Sequence, residues 1–303
     1  MRSKFFIILT LLSCLCLQSH AQDGKAVDSL KAAQINREAA DPNFIHAYLM
    51  QITPGKACYS VYGHTAMRLV CPSKNLDICV TFEMDMETTH YADLFRRKAK
   101  AGYLNVPTDR FLSQYKSEGR GITAFELNLN AKQKQDLWRF VDEENSKGPV
   151  WTFDFTEVNC TSMAFYAINK VIEPSQLKFK KMPPIVYGEL SEWMDYVSRK
   201  SPWVRLIVHG GLWGVDEKQI KPENLLTPEM SVDVLPYVTF SDSTGRPIPL
   251  VKGKMLTILP TVYKDEPCWF TPTMAMLAVA VLIILTITLV IYKRQRKHNY
   301  FNH

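Results

Sequence analysis

The stretch FDFTEVNCTSMAFYAINKVI (153–172) places a lone cysteine, Cys160, where a helix-spaced apolar run begins. Met163, Ala164, Ala167, Ile168, Val171 and Ile172 recur three and four residues apart, the spacing of one buried helical face. Asn159 is a residue type that caps helices through its side-chain oxygen, which puts Cys160 at the first helical position. There the unpaired amides and the positive end of the helix dipole stabilise a thiolate. Around this stretch, alternating runs read as strands at 44–55, closed by Pro54-Gly55, and at 60–70 and 77–85, separated by the turn cluster PSKN (72–75). Residues 91–118 read as helices about a GYLNVP turn (102–107). A strand at 121–130, a helix at 131–147 and a short strand at 151–155 complete the run into Cys160. This order predicts an α+β fold.

The ends of the chain speak of a membrane. MRSKFFIILTLLSCLCLQSHA (1–21) has the basic start, apolar centre and small-residue close of a secretory signal. Its Leu11-Leu12-Ser13-Cys14 also reads as a lipobox, which would make Cys14 a lipidated N-terminus. Residues 22–43 are a polar lead-in. At the other end, no charge falls between Cys268 and Tyr292, and about 20 apolar residues suffice for one crossing. Residues 270–292 are therefore expected to span the bilayer, with Trp269, Phe270 and Tyr292 at its aromatic edges. The basic tail 293–303 would stay on the cytoplasmic side of an inner membrane, with the body of the chain periplasmic. This topology accounts for the formal charge of +6: Arg2, Lys4, Lys293, Arg294, Arg296 and Lys297 lie in those ends, which hold no acidic residue. The remainder is balanced, and the sequence makes no case for nucleic acid.

Five cysteines outlast the signal: Cys58, Cys71, Cys79, Cys160 and Cys268. In an exported chain an odd number leaves one unpaired within the chain. Two of Cys58, Cys71 and Cys79 are close enough in sequence to pair, and Cys160 is the candidate free thiol. A thiol nucleophile needs a base, and His46, His64, His90 and His209 are available outside the ends. His64, in Tyr62-Gly63-His64-Thr65, stands beside a glycine that permits close approach. Such a base can take the thiol proton and return it to a leaving group. The bland readings are a hydrogen-bonded strand histidine and a structural cysteine. The histidines have no metal-ligand spacing, so neither metal nor cofactor is expected.

TPGKACYSVYGHTAMRLV (53–70), YKSEGRGITAFELNLNAKQKQDLW (115–138) and FDFTEVNCTS (153–162), with GLWGVDEKQIKPENLLTPE (211–229) and RPIPLV (246–251), resemble one family. It is the periplasmic domain of the Bacteroidota lipoprotein N-acyltransferases, Lnb. The resemblance implies a permuted papain-like thiol-enzyme fold, of the NlpC kind, over 44–173, with 174–266 as its C-terminal extension. It carries over to Pro54-Gly55, Gly63-His64, Arg68, Arg120 and Asn159-Cys160. It implies Cys160 and His64 as catalytic residues, with Asn159, Glu83, Arg68 and Arg120 in support. Where relatives show Tyr-Gly, this chain has Phe82-Glu83. Glu83 either orients His64 or faces solvent on an edge strand, and the second reading is preferred. The implied reaction moves an acyl chain from a membrane phospholipid through a Cys160 thioester to the α-amine of a diacylated lipoprotein acceptor. Segment 188–214, with Trp193, Met194, Trp203, Leu206, Ile207 and Trp213 among basic residues, reads either as a membrane-facing surface or as ordinary core. Rival functions keep the fold as a thiol lipase or cell-wall amidase, or abandon catalysis for a membrane-anchored scaffold.

Overall fold

The computed structural model describes residues 37, 40–56, 60–90, 93, 96, 98–179, 192, 195–196, 198–211, 227–262 and 268–301. The expected signal, Cys14, Cys58, Trp193, Met194 and Trp213 lie outside them. The architecture is α+β: a seven-stranded antiparallel sheet with helices on both faces, and a three-stranded satellite sheet. Strands β1 (His46–Ile52), β2 (His64–Cys71), β3 (Leu76–Met84), β4 (Lys100–Pro107), β5 (Ile122–Leu127), β6 (Trp151–Thr152) and β10 (Val251–Leu259) form the large sheet, in the order β10-β5-β1-β2-β3-β4-β6. Strands β7 (Lys178–Phe179), β8 (Val238–Ser241) and β9 (Pro247–Pro249) form the small one.

The period-2 alternation of the central strands divides the core between the two faces. Ala47 and Leu49 of β1, with Met67 and Leu69 of β2, turn toward helices α2 (Ala131–Lys147) and α3 (Cys160–Ile172). Met50, Ile52 and Ala66 turn the other way, onto Phe111 and Tyr115 of α1 (Thr108–Ser117). Helix α2 begins where its capping box predicts: Asn130 accepts from the Gln133 amide, and Gln133 reaches back to the Asn130 N–H. Helix α3 is held along its length by Met163, Ala167 and Ile168 in the main core, and by the Tyr103 hydroxyl donating to the Met163 carbonyl at 2.8 Å.

Two expectations for this half are corrected. The segment containing GYLNVP is strand β4, not a turn between helices. Gly102 is there because the neighbouring chain comes too close for a side chain: a Cβ would meet the Gly148 carbonyl oxygen at 2.6 Å. Pro107 closes the strand and serves as the N-cap position of α1. The strand expected at 151–155 is also shorter, ending at Thr152.

Beyond the satellite sheet, α4 (Pro202–Gly211) and α5 (Pro228–Val234) lead to the terminal α6 (Pro272–Phe301). Within Pro272–Gln295 an 18-residue window has a mean hydropathy of 3.0 and holds no buried residue, so by length and composition the helix can cross a membrane. Because α3 carries the main core, Ile168→Ala should destabilise the full chain by about 2–5 kcal/mol, read by denaturant titration in detergent.

Candidate active site

The head of α3 is built by hydrogen bonds that fix Cys160 in space. The Asn159 Oδ1 accepts from the amides of Thr161 and Ser162, both at 2.9 Å, while its Nδ2 donates to the Phe155 carbonyl at 3.0 Å. Ser162 completes the box by accepting from the Asn159 N–H at 3.0 Å. Both polar atoms of the Asn159 side chain thus help to build the helix head, Nδ2 through one of its two hydrogens.

A second set of bonds docks this helix head on the sheet. The Thr65 hydroxyl donates to Gln51 Oε1 at 3.0 Å and lies 2.9 Å from the Thr161 hydroxyl. With its one proton committed to Gln51, Thr65 accepts from Thr161. This docking brings Cys160 to the start of β2, where the Thr65 N–H acts on its thiol. Burial pushes the Cys160 thiol up, opposed by the N–H groups of Thr65, Thr161 and Cys160 and by the Thr161 hydroxyl. The resting group is a thiol.

His64 opens β2 after Gly63, whose φ is +78° and whose absent Cβ would sit 2.5 Å from the Ile52 carbonyl oxygen. Both features demand glycine. The His64 Nε2 is hydrogen bonded to the Thr81 hydroxyl, and Thr81 donates onward to Glu83 Oε1 at 3.1 Å. Glu83 Oε1 is also 4.0 Å from His64 Nε2. Since the Thr81 proton goes to Glu83, His64 must carry its proton on Nε2 and keep the lone pair on Nδ1. Burial, with the nearby Arg120 charge, lowers the His64 imidazole to about 3, so it is neutral at physiological pH. Burial raises the Glu83 carboxyl while its bond from Thr81 lowers it; the side chain is 45% exposed, so water moderates the rise. Glu83 thus reaches solvent, but β3 is an inner strand between β2 and β4 and not the edge strand of the preferred reading, and through Thr81 the carboxylate is linked to His64.

Tyr115 stacks near His64, ring centroids 6.4 Å apart, and the Arg120 guanidinium lies 4.7 Å from the Tyr115 ring centre. Arg120 is buried, donates from Nε to the Thr53 carbonyl at 2.7 Å and from Nη1 to Glu118 at 3.1 Å, and leaves Nη2 without a partner. A Cβ on Gly55 would strike the Arg120 Cδ at 2.9 Å. The Pro54-Gly55 turn and Arg120 are therefore one packed unit.

Arg68 is elsewhere. It grips Asp77 with Nε and Nη2 at 2.8 and 2.6 Å, holding that carboxyl below its usual range. Four residues along β2 from His64, its backbone is about 13 Å away. The other histidines are also dispersed: His46 lies 3.8 Å from Glu126 at the opposite end of the sheet, and His209 3.3 Å from Asp195. Cys71 and Cys79 are buried and not bonded to each other. They lie three ladder steps apart, since Cys79 faces Arg68 and Cys71 faces Leu76. Burial pushes the Cys79 thiol to about 11, which makes it unreactive. Among the described residues, no group of three or more His, Cys, Asp or Glu is placed to hold a metal ion.

Thr65, Thr81, Gln51 and Tyr115 were not singled out by the sequence reading. Gln51 had a signal, a polar residue inside the apolar run YLMQI (48–52), and Thr81 had one in sharing a strand face with Glu83.

Fold and site together define a thiol at a helix head, docked through Thr161 and Thr65 onto the strand start that carries His64. The family whose model matches, over residues 31–193 and so more than half of the chain, is described as the Lnb N-terminal periplasmic domain, and the chain belongs to it. No curated protein and no solved structure matches the chain.

The lowered His64 pKa makes stability depend on acid. The unfolded chain takes up a proton below 6.5 that folded His64 refuses until about 3. This contribution is complete above 6.5 and is lost as pH falls through that window. Urea midpoints followed from neutral pH into the window should therefore fall less steeply for His64→Gln than for the unaltered chain.

Proposed function

We propose that the protein is a lipoprotein N-acyltransferase working through a permuted papain-like Cys160–His64 pair. The observation that supports this reading is the bonding of His64: with Nε2–H given to Thr81, the lone pair is left on Nδ1 to serve as a base, one residue before the Thr65 that docks the head of the Cys160 helix. In the first half-reaction His64 Nδ1 takes the thiol proton as Cys160 Sγ attacks the ester carbonyl of a phospholipid. The carbon–sulfur bond forms, the ester carbon–oxygen bond breaks, and the proton passes from Nδ1 to the departing lysophospholipid oxygen. In the second, the α-amine of a diacylglyceryl-cysteine attacks the thioester and loses a proton to His64. The amide bond forms, the carbon–sulfur bond breaks, and that proton returns to the thiolate.

Two neutral partners suit this sequence. Charge appears on them only as the nucleophile attacks, in a site where fixed N–H groups already face the sulfur. The Cys160 and Thr65 amides are the candidate donors to the tetrahedral oxyanion. Thr81 and Glu83 act through His64, holding its tautomer and ring direction, as the third group of a triad does. Arg120 supplies positive charge beside His64. We place the catalytic domain in the periplasm on a single inner-membrane span, with the basic end cytoplasmic. Both substrates are lipids of the adjoining leaflet, and a tether to it raises their effective concentration.

The test is mass spectrometry of a reporter lipoprotein's N-terminal peptide from cells that lack N-acylation. Cells expressing this protein should yield three acyl chains, and cells expressing Cys160→Ala two. Two chains in both, with the protein present in the membrane, would favour a hydrolase or scaffold. For purified enzyme, His64→Ala should lower the acylation rate by about 10²–10⁴-fold. Thr81→Val should cost less, and should shift the pH profile because either tautomer then becomes available; an unchanged profile counts against the proposed role of Thr81.

A further inference from the structure

We propose that the end of the sheet bearing His64 and Cys160 faces the lipid surface, with α4 lying in the bilayer interface beside it. The inference rests on reading α6 as a membrane span, but not on acyl transfer. Helix α4 carries Trp203, Leu206 and Ile207 at three- and four-residue spacing, a single helical stripe. All three are exposed, at 39%, 55% and 36%, while Val204 behind them is buried. A helix in a soluble environment buries this stripe; here it is turned outward.

What covers it is indicated by what α4 is fastened to. The Trp203 indole N–H donates to the Phe270 carbonyl at 2.7 Å, and the two rings lie 5.9 Å apart. Phe270 stands two residues before α6 begins, and the adjacent Trp269 is 83% exposed. The stripe is thus continuous with the start of a helix whose whole surface suits hydrocarbon, at the level where aromatic residues collect. Of the basic residues nearby, Arg205 on α4 is paired with Asp195 and Arg199 with Glu229, so the apolar stripe carries the argument.

Two connections then fix which end of the domain is presented. Arg199, just before α4, donates to both Glu229 oxygens at 2.8 Å, and the two residues line a small cavity with Pro54, Val61 and Tyr62, the last two standing just before His64 in the chain. The chain leading to α6 leaves β10 beside the same end. The Val262 N–H donates to the Gly119 carbonyl at 2.9 Å, and a Cβ on Gly121 would collide with Thr261. Arg120 lies between those glycines. In the ladders, Leu259, Ile122, Ile52 and His64 share this end of the sheet, whereas Val251, Leu127, His46 and Cys71 mark the other. Both routes toward lipid therefore depart from the end that holds the thiol, which lets a substrate reach Cys160 without leaving the interface.

The test uses the full chain in phospholipid vesicles containing brominated acyl chains, which quench tryptophan at membrane depth. Leu206→Trp adds an indole on the α4 stripe, and Lys74→Trp adds one at the exposed far end of the sheet; both positions are exposed, so neither substitution disturbs the core. The emission added at 206 should be quenched several-fold more than that added at 74, and Trp203→Phe should remove part of the quenchable signal. Equal quenching at 206 and 74, or stronger quenching at 74, would overturn the orientation. Repeating the measurement in Cys160→Ala separates it from activity: quenching as expected without acyl transfer would defeat the proposed function and leave the orientation standing.

Discussion

The site depends on one docking contact, the run of hydroxyl and amide groups from Thr161 through Thr65 to Gln51. It joins the first turn of α3 to the two central strands at the point where β2 begins. Without it, the helix would still be capped by Asn159, still bury Ile168 and still accept from Tyr103 of β4, but it would lose its side-chain bond to β2 beside His64. Buried hydroxyls that are fully satisfied specify geometry more than they add stability, because leaving any one unpaired costs about 1–3 kcal/mol. The contact therefore works as a register pin between helix and sheet.

Burial governs the electrostatics on both sides of that pin. It raises the Cys160 thiol and lowers the His64 imidazole, so the pair rests uncharged. The N–H groups around the sulfur act against this trend, and their worth grows when a substrate excludes water and negative charge develops. Arg120 contributes a fixed charge nearby while being anchored to Thr53 and Glu118 rather than to either reacting group. A thiol in such a setting is shielded from indiscriminate oxidation, in keeping with an oxidising compartment.

Much of this was legible in the chain itself. Asn159 and the three- and four-residue spacing after Cys160 identified a capped helix because both signals are local. The 131–147 helix and the terminal apolar run were readable for the same reason. What escaped depends on contacts distant in sequence. Gly102 and Pro107 look like turn residues until Gly148 is seen to pass close by. Arg68 looks like a site residue until Asp77, nine residues on and diagonal to it on the neighbouring strand, is found paired with it. Thr81 has no signature beyond sharing a strand face with Glu83; strand pairing is what brings it to His64. The pairing considered for Cys71 with Cys79 fails on ladder register, which a separation in sequence does not reveal.

The central claim is that Cys160 carries an acyl group taken from phospholipid and that His64 activates it. The most direct measurement is peptide mass spectrometry of the purified protein after incubation with phospholipid vesicles, with no amine acceptor present. The account predicts a hydroxylamine-labile acyl adduct on the Cys160 peptide, strongly reduced in His64→Ala, and discharged when a diacylated lipopeptide is added. An adduct on another residue, or none on Cys160 in protein shown to be folded and inserted, would contradict it.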